Sequence, residues 1–449
     1  MPATSYYLTF SRIPTLGLEE WCRAFDDFAH DGVSTVVLWI GGGFRSRKYP
    51  VTWQYNADHR NIEEDFVGEL IDYAHTIGIR VLLGFTPFQY DGVNQFAFER
   101  PDLKAIRPEG TFARMQGIHC KGYGLNPAKA DAQAFMLDYV REMYFDFYPQ
   151  ADGMLIESAD IDISSGGPDG ERFYELEYGF ARQISQEAWK HDPNATIIVY
   201  PQYFTGEHGG PFEYDPRWTL VFTPHSAFID PAMISLASST LYSDLMVISE
   251  LPELVRRSFR IVRDHGIDGY FPSHEFFTYT PQRPENGDPG IVGRPLHPFG
   301  LEVLPRDRNP YGDPLVAVNR GAVREFRLDP ELPEDEFRAR VGADVFGKQA
   351  SEDLVADLFT LHDFVYRDKS IFTTAPLMDP LAFADRLEQG RLSEEDLRAI
   401  SDGLGQLPAI AQRFAASPHP AAARLAEHAQ HALWTWGDAD RALLSGHLR

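Results

Sequence analysis

Short apolar runs alternate with amphipathic stretches along the first 275 residues of the chain. The apolar runs have the length and the flanking turn residues of buried parallel strands, and the stretches between them carry apolar residues at helical spacing. The strands predicted from this pattern are 6–13, 34–40, 79–85, 153–157, 196–200, 219–223, either 240–243 or 246–249, and 270–273. The helices predicted between them are 18–29, 62–77, 135–147, 172–191 and 251–265.

Eight strands separated mostly by helices predict a (β/α)8 TIM barrel of the α/β class, which we expect over residues 1–280. The competing architecture is a doubly wound open sheet, which usually carries a glycine-rich phosphate loop after its first strand. Here the glycine triplet 41–43 follows the second strand and lacks the G-x-G-x-x-G pattern. We interpret that triplet as a bulge or a site of close backbone approach.

The character of the sequence changes after the predicted barrel. Residues 281–315 are rich in proline, glycine and charge, which predicts an irregular linker or excursion. From 316 to 449 the pattern is helical, with a helix beginning after Pro333 and ending at Gly347, and another capped by Ser393. We therefore predict an α-helical C-terminal domain that packs against the barrel or against a partner subunit, so that a homodimer through this domain is an expectation.

Composition limits the partners of this protein. The 449 residues include 66 acidic and 41 basic side chains, and the net charge of −25 disfavours binding to nucleic acid. Two cysteines, Cys22 and Cys120, are too few for a disulfide framework, which fits a reducing cytoplasm. The sequence shows neither a signal-peptide pattern nor an apolar run long enough to span a membrane. We expect a cytoplasmic protein without a membrane partner.

The first catalytic candidate closes the predicted fourth strand. That apolar run ends on Glu157, at the carboxyl end of a strand, where active sites of such barrels lie; the alternative is a strand that runs into a solvated acidic loop. A second acid is expected from Glu275, which follows the eighth strand, or from Asp244 beside the seventh. Two carboxylates from different strands supply the proton donor and the base or nucleophile that glycosidic bond hydrolysis requires.

Polar and aromatic side chains that follow the predicted strands suit a sugar, because a sugar offers hydroxyls to bond and an apolar face to stack. These candidates for substrate binding are Arg45, Arg47, Tyr49, Asp58 and His59 after the second strand, Gln89, Tyr90 and Asp91 after the third, His119 and Asn126 before the third helix, Asp160 after the fourth strand, Gln202 and Tyr203 after the fifth, His225 after the sixth and His274 at the eighth. Each such residue alone is more often a surface or loop residue. The arginines would neutralise an acidic group on the substrate, such as a uronic acid.

A metal site is the alternative use of the histidines that follow strands, because barrel isomerases and hydrolases use histidine and carboxylate ligands. The sequence contains no H-x-H after the first strand and no HExxH. It also contains no G-x-S-x-G, Walker A or CxxC pattern. We therefore expect neither a catalytic metal nor another cofactor.

Three segments carry a resemblance to a known group of enzymes. They are Gly124-Leu-Asn-Pro-Ala-Lys followed by a helix, Phe147-Tyr-Pro and Asp152-Gly-Met-Leu-Ile-Glu157; the end of the eighth strand with Glu275; and Val318-Asn-Arg-Gly-Ala-Val-Arg-Glu-Phe-Arg-Leu-Asp-Pro330 followed by Phe346-Gly. Over residues 120–350 the chain resembles barrel glycoside hydrolases of the α-glucuronidase and hexosaminidase kind. The resemblance implies a catalytic acid at Glu157 and a helical region after the barrel.

The chain also departs from that group. Hexosaminidases that use the acetamido group of the substrate carry an adjacent Asp-Glu pair on strand four, whereas Ile156 precedes Glu157 here. The later Asp and Glu of α-glucuronidases have no certain counterpart in this sequence. The resemblance therefore does not carry over a substrate-assisted mechanism.

These observations predict a glycoside hydrolase that cleaves an oligosaccharide or a small glycoside. Glu157 would protonate the leaving oxygen, and Glu275 or Asp244 would act as base or nucleophile. Two alternatives remain open from the sequence: a metal-dependent sugar isomerase, epimerase or lyase on the same barrel, and a non-catalytic carbohydrate-binding protein.

Overall fold

The computed structural model describes residues 2–13, 16–57, 59–90, 92–107, 109–115, 122–158, 172–200, 213–223, 237–243, 251–274, 310–366 and 380–448. Within these ranges eight parallel strands close into a barrel, helices pack around its outside, and further helices follow it. The predicted fold, a (β/α)8 barrel followed by an α-helical region, is confirmed.

Each barrel strand pairs in parallel with the next along the chain, and the eighth strand pairs with both the seventh and the first, which closes the barrel. The strands are β1 Ala3–Leu8, β2 Thr35–Trp39, β3 Arg80–Phe85, β4 Gly153–Ile156, β5 Thr196–Val199, β6 Thr219–Phe222, β7 Ser239–Tyr242, and β8, which consists of Gly269–Tyr270 and Ser273–His274. Both faces of these strands are buried, which explains why they are continuous apolar runs rather than alternating ones. A separate antiparallel ribbon pairs Arg114–Met115 with Gly122–Tyr123.

Two predicted strands differ in detail from the structure. The seventh strand matches the first of its two predicted positions, and the second, 246–249, lies outside the described residues. The eighth strand is divided at Phe271-Pro272, because proline has no N–H to donate to a strand ladder. The carbonyl of Pro272 still accepts a hydrogen bond from the Tyr7 N–H at 3.0 Å, which keeps β8 in register with β1.

In the part of the barrel that the structure describes, five longer helices pack outside the strands: α1 Leu18–His30, α2 Val67–Thr76, α3 Ala130–Arg141, α4 Phe173–His191 and α5 Pro252–His265. α3 continues directly into a π-helical segment, Glu142–Phe147. The loops contain two single α-helical turns, Arg60–Glu63 and Phe96–Glu99, and the 3-10 turns Phe10–Arg12, Pro50–Thr52, Gln54–Asn56, Val93–Gln95 and Pro101–Leu103.

The single helix predicted over 62–77 is two helices in the structure. Asp65 lies between them with a φ of 52°, in the left-handed region that an α-helix of L-residues cannot contain. The helical periodicity of the sequence continues across this break, so the pattern alone did not reveal it.

The described residues after the barrel contain seven helices: α6 Pro314–Leu328, α7 Glu334–Phe346, α8 Glu352–Tyr366, α9 Pro380–Glu388, α10 Glu394–Ala416, α11 Pro420–Thr435 and α12 Asp438–His447, with 3-10 turns at Pro310–Gly312 and Gly347–Gln349. Ser393 caps α10 as predicted, because its hydroxyl accepts the Asp396 N–H at 3.2 Å. Gly347, with a φ of 56°, ends α7 as predicted.

The helical region packs directly on the barrel. The ring of Tyr311, just before α6, contacts Trp21 and Phe28 of α1 at centroid distances of 5.8 and 5.0 Å. Arg320 of α6 donates to the carboxylate of Asp31 at the end of α1. The barrel and the helices thus share one core. The predicted boundary at residue 280 lies outside the described residues, so the division into domains stays a prediction.

None of the helices in the described part of the chain is both long enough and apolar enough to cross a membrane. Cys22 is a free thiol, and Cys120 lies outside the described residues.

Candidate active site

One face of every barrel strand lines the interior of the barrel. The side chains on this face form an apolar cluster separate from the core between the barrel and its outer helices. This lumen cluster consists of Tyr7, Val37, Trp39, Leu82, Tyr90, Ala105, Ala113, Leu155, Phe173, Tyr174, Ile198, Tyr200, Val221, Leu241 and Phe271. Strand members of the cluster follow the period of two that a strand imposes on its side chains. The lumen is therefore packed with aromatic and aliphatic side chains up to the carboxyl ends of the strands.

Glu157 lies at the carboxyl end of β4, where the sequence predicted it. Its N–H donates to the carbonyl of Phe85 at 3.1 Å, so the strand ladder continues through it. Two residues before it, Leu155 belongs to the lumen cluster, and the Glu157 carboxylate points into the same space. The side chain is half-buried. A partly exposed carboxylate at this position is available for chemistry on a bound molecule.

Tyr7 of β1 reaches this carboxylate from another part of the barrel. Its hydroxyl donates a hydrogen bond to Glu157 Oε2 at 2.7 Å. Strands β2 and β3 lie between β1 and β4 in the sheet, so the contact crosses the lumen rather than joining neighbouring strands. The Tyr7 ring is buried and lies 6.0 Å from the ring of Phe271, which is in turn 6.5 Å from Tyr200.

Buried hydroxyl groups continue the lumen-facing series beyond the cluster. Thr86 follows Gly84, whose Cβ position faces Val37 and Leu155 of the cluster, and Ser243 follows Leu241 by the same two-residue step. Both are buried, and neither hydroxyl has a hydrogen-bond partner among the described residues. Buried polar groups are normally hydrogen-bonded, so unpaired hydroxyl groups near the mouth of a barrel can bind the hydroxyls of a ligand.

The chain leaves β3 through a strained turn at Phe88, whose φ is 64°. Gln89, the next residue, is fully buried, and within the described part of the chain neither the nitrogen nor the oxygen of its side-chain amide has a hydrogen-bond partner. Tyr90 then packs with the lumen cluster. The structure therefore places two predicted substrate-binding residues, Gln89 and Tyr90, in the buried segment directly after β3.

Three other predicted residues belong to the loop after β2, which lies against α3. Arg45 donates to the carbonyl of Glu63 at 2.7 Å, and the guanidinium of Arg47 lies 4.7 Å from the ring centroid of Phe147. The Tyr49 hydroxyl donates to Asp138 at 2.9 Å. Burial and the Asp138 carboxylate raise the pKa of Tyr49, which keeps this hydroxyl protonated. These contacts are within the chain, and a role in substrate binding stays a prediction for all three.

Two further candidates make buried contacts with the backbone. His59 Nδ1 lies 3.1 Å from the carbonyl oxygen of Ser11. The side-chain oxygen of Asn126 accepts the N–H of Ala128 at 2.9 Å, which shapes the turn that leads into α3. Their substrate-binding roles also stay predictions.

The remaining candidates lie outside the described residues: Asp58, Asp91, His119, Asp160, Gln202, Tyr203, His225, Asp244 and Glu275, together with the side chain of His274. Both candidates for the second carboxylate are therefore in this group, and they stay predictions. In the described part of the chain, no three histidine, cysteine or acidic side chains are grouped closely enough to hold a metal ion.

Sequence reasoning missed Tyr7, Thr86 and Ser243. The first strand was predicted at 6–13 but is Ala3–Leu8. The prediction therefore placed its carboxyl end five residues too late, and Tyr7 was not recognised as a residue near that end. An apolar strand that is buried on both faces does not show which of its side chains face the lumen. The hydroxyls at 86 and 243 follow the predicted strands and were available as candidates, but threonine and serine are common in loops.

Comparison of the sequence with protein families and with curated proteins finds no match. Comparison of the fold finds a solved structure of a GH138 enzyme targeting pectin rhamnogalacturonan II, with a TM-score of 0.55 and 10% identity, which covers 100% of this chain and 59% of the other. Flavobacterium johnsoniae chitobiase has a TM-score of 0.49 and 12% identity, and the match covers 98% of this chain and 74% of the chitobiase chain. A Thermobaculum terrenum O-GlcNAc hydrolase has a TM-score of 0.48 and 10% identity, and the match covers 94% of this chain and 81% of the hydrolase chain. At 10% identity, the likeness to the GH138 enzyme concerns the fold.

Proposed function

We propose that this protein is a glycoside hydrolase whose active site is the open end of the barrel. The observation that carries the proposal is the Glu157 carboxylate, half-buried at the carboxyl end of β4 and directed into an aromatic lumen. A carboxylate in such surroundings is costly to bury, and an enzyme gains from it an acid or a base next to the substrate.

Glu157 acts as general acid in this proposal and protonates the leaving oxygen of the glycoside. The base or nucleophile is Glu275, or Asp244 in its place. Four strand steps separate β8 from β4 in either direction around the barrel, and three separate β7 from β4. Because Glu275 directly follows β8 and Asp244 comes soon after β7, the proposal has either acid act from the far side of the lumen, as hydrolysis with two carboxylates requires.

A carbohydrate fits the lining of this site. Aromatic rings offer surfaces that stack on the apolar face of a sugar. The unpaired hydroxyls of Thr86 and Ser243 can form hydrogen bonds with sugar hydroxyls. The solved enzyme of similar fold targets a pectin, which supports the same class of substrate for this chain. The proposal includes a uronic acid in the substrate, which the positive charges of Arg45 and Arg47 would neutralise. The contacts of these two arginines in the structure are with other residues of the chain.

The test is a panel of aryl glycosides and oligosaccharides with mass-spectrometric detection of the products, applied to the wild type and to Glu157→Gln. We expect hydrolysis by the wild type, unaffected by a chelator, and a loss of about 100-fold or more in the variant, because general acid catalysis contributes about that much. Glu69→Gln, which changes an exposed carboxylate of α2, is the matched control and should keep full activity.

Circular dichroism and the melting temperature should show that Glu157→Gln folds as the wild type does. Full activity in this variant would remove Glu157 from the mechanism. Glycan binding without turnover across the whole panel would instead identify a carbohydrate-binding protein, and loss of activity with a chelator would favour the metal-dependent alternative.

A further inference from the structure

We propose that Tyr7 is a positioning residue that holds the Glu157 carboxylate across the lumen and favours its ionised form. The inference deepens the proposed function and rests on it for the catalytic consequence. It begins from the 2.7 Å hydrogen bond that the Tyr7 hydroxyl donates to Glu157 Oε2.

The position of the donor is set by the barrel itself. In the ladder, Tyr7 is level with Val37 of β2 and with Ser273 of β8, so its backbone is paired on both sides. The ring is 3% exposed and stacks on Phe271 at an interplanar angle of 29°. A tyrosine side chain has two main torsions, and packing of the ring leaves its hydroxyl little freedom. The donor is therefore preorganised for the carboxylate.

This contact has two consequences for the chemistry of Glu157. A hydrogen bond donated to a carboxylate favours the ionised form, and it opposes the effect of the surrounding apolar lumen, which favours the neutral form. The bond also fixes the orientation of the carboxylate through its Oε2 atom. The pH at which a general acid loses its proton limits its action, and the Tyr7 hydroxyl limits how far the apolar lumen raises the pKa of the Glu157 carboxyl.

The chain offers a matched control on the same strand. Tyr6 is also buried, but its ring faces the outer layer, where it packs edge-on against Phe28 at 5.1 Å. Tyr6→Phe and Tyr7→Phe each remove one hydroxyl from β1, on opposite faces of the strand. A general effect of the loss of a buried hydroxyl on folding would appear in both variants, and an effect on Glu157 only in Tyr7→Phe.

The first test is the pH profile of kcat/KM for both variants on the substrate that the panel identifies. With Glu157 as general acid, the alkaline limb reports the loss of its proton. Without the Tyr7 hydroxyl the ionised form is less stable, so we expect this limb to move to higher pH by about one unit, with kcat reduced more than KM is changed. Tyr6→Phe should leave both limbs where they are.

A shift of the acidic limb instead would support the role of Tyr7 and overturn the assignment of Glu157 as the acid, making it the base or nucleophile. Unchanged limbs in Tyr7→Phe, or equal shifts in both variants, would overturn the inference.

The second test does not require activity. The protein is labelled with ¹³C at the glutamate carboxyl carbons and titrated by NMR, and the signal of Glu157 is the one missing from Glu157→Gln. We expect the midpoint of this signal to rise by about one pH unit in Tyr7→Phe and to stay unchanged in Tyr6→Phe. An unchanged midpoint in Tyr7→Phe would overturn the inference. A raised midpoint in a protein that hydrolyses no glycoside would support the coupling and reject the proposed function.

Discussion

Phe88 has a backbone conformation that a bulky side chain rarely adopts, with a φ of 64°. Such a conformation costs about 1–2 kcal/mol, and the surrounding structure must offset it. The Phe88 carbonyl accepts the N–H of Leu125 at 2.7 Å, and its ring lies 5.5 Å from that of Phe180. The turn leads into Gln89, which is fully buried, and Tyr90, which packs with the lumen cluster. Strain at this point is consistent with a functional role for the segment after β3.

Glu142 is a second residue at a local distortion of the backbone. It is 2% exposed and begins the π-helical segment after α3. Its carboxylate accepts the Ser46 hydroxyl at 2.6 Å and the N–H groups of Arg47 and Lys48 at 2.8 and 3.2 Å. One buried side chain thus satisfies three donors of the loop after β2 and fastens this loop to α3.

We expect Glu142→Ala to lower the free energy of unfolding by about 3 kcal/mol, because it leaves buried donors without an acceptor. The neighbouring Asp138→Ala is the matched control. Asp138 accepts from Lys48 and Tyr49 of the same loop but is 35% exposed, so its loss should cost about 1 kcal/mol or less. Urea unfolding monitored by fluorescence measures both. Equal losses would show that burial of Glu142 does not matter.

At the scale of elements, α6 and α8 meet through a buried polar pair. His362 of α8 is 1% exposed, and its Nε2 lies 2.8 Å from Oδ1 of Asn319 in α6. Burial lowers the pKa of His362 to about 3. The imidazole is therefore neutral at physiological pH, and its Nε2–H donates to the amide oxygen of Asn319. The contact is a buried, directional polar link between the two helices.

The pair predicts a pH dependence of stability. Histidine in the unfolded chain takes up a proton below about pH 6.5, whereas folded His362 does so only near pH 3. The unfolded state thus binds more protons in this window, and the stability present above pH 6.5 falls as the pH drops toward 3. We expect a loss of about 2 kcal/mol from this residue between pH 7.0 and 5.0.

His362→Gln should reduce that loss, since glutamine does not titrate and its amide can still donate to Asn319. Urea unfolding at the two pH values measures it, with His447→Gln, an exposed histidine of α12, as control. An unreduced loss in His362→Gln would contradict the assignment.

At the scale of the whole molecule, charged side chains join the helical region to the barrel. Arg320 of α6 donates to Asp31 at 2.7 Å, to Asp27 at 2.8 Å and to the carbonyl of Tyr311 at 3.0 Å. The Asp31 side chain is only 1% exposed, and Arg324 contributes a longer contact to it at 3.5 Å. The cationic side chains offset the cost of burying the Asp31 carboxylate.

Arg320→Ala should therefore destabilise the protein by about 3 kcal/mol, because it leaves the buried Asp31 with one distant cation. Arg398→Ala removes a surface ion pair with Glu394, in which both side chains are more than 60% exposed, and should change stability by about 0.5 kcal/mol or less. Thermal and urea unfolding of the two variants give the comparison. Similar melting temperatures for both variants would show that the interface does not depend on this ion pair.

Much of the architecture was predictable, because the apolar runs of the barrel strands and the helical stripes between them depend on local pattern. The position of Glu157 at the end of β4 was also predictable, since it is the first polar residue after Ile156. The partner of Glu157 was not. Tyr7 is 150 residues away in the chain, and only closure of the barrel brings β1 and β4 to opposite walls of one lumen. The break at Asp65 likewise left no trace in the periodicity.

The amino-acid sequence by itself determined the order of strands and helices, the caps at Ser393 and Gly347, and the acid that ends the fourth strand. These features depend on interactions between residues close in the chain, which composition and spacing record. Only the tertiary structure decided which face of each strand lines the lumen and which hydroxyl groups there have no hydrogen-bond partner among the described residues. It also decided that Tyr7 donates a hydrogen bond to Glu157. Those choices depend on the ladder registers and on packing between distant segments, and no local pattern encodes them.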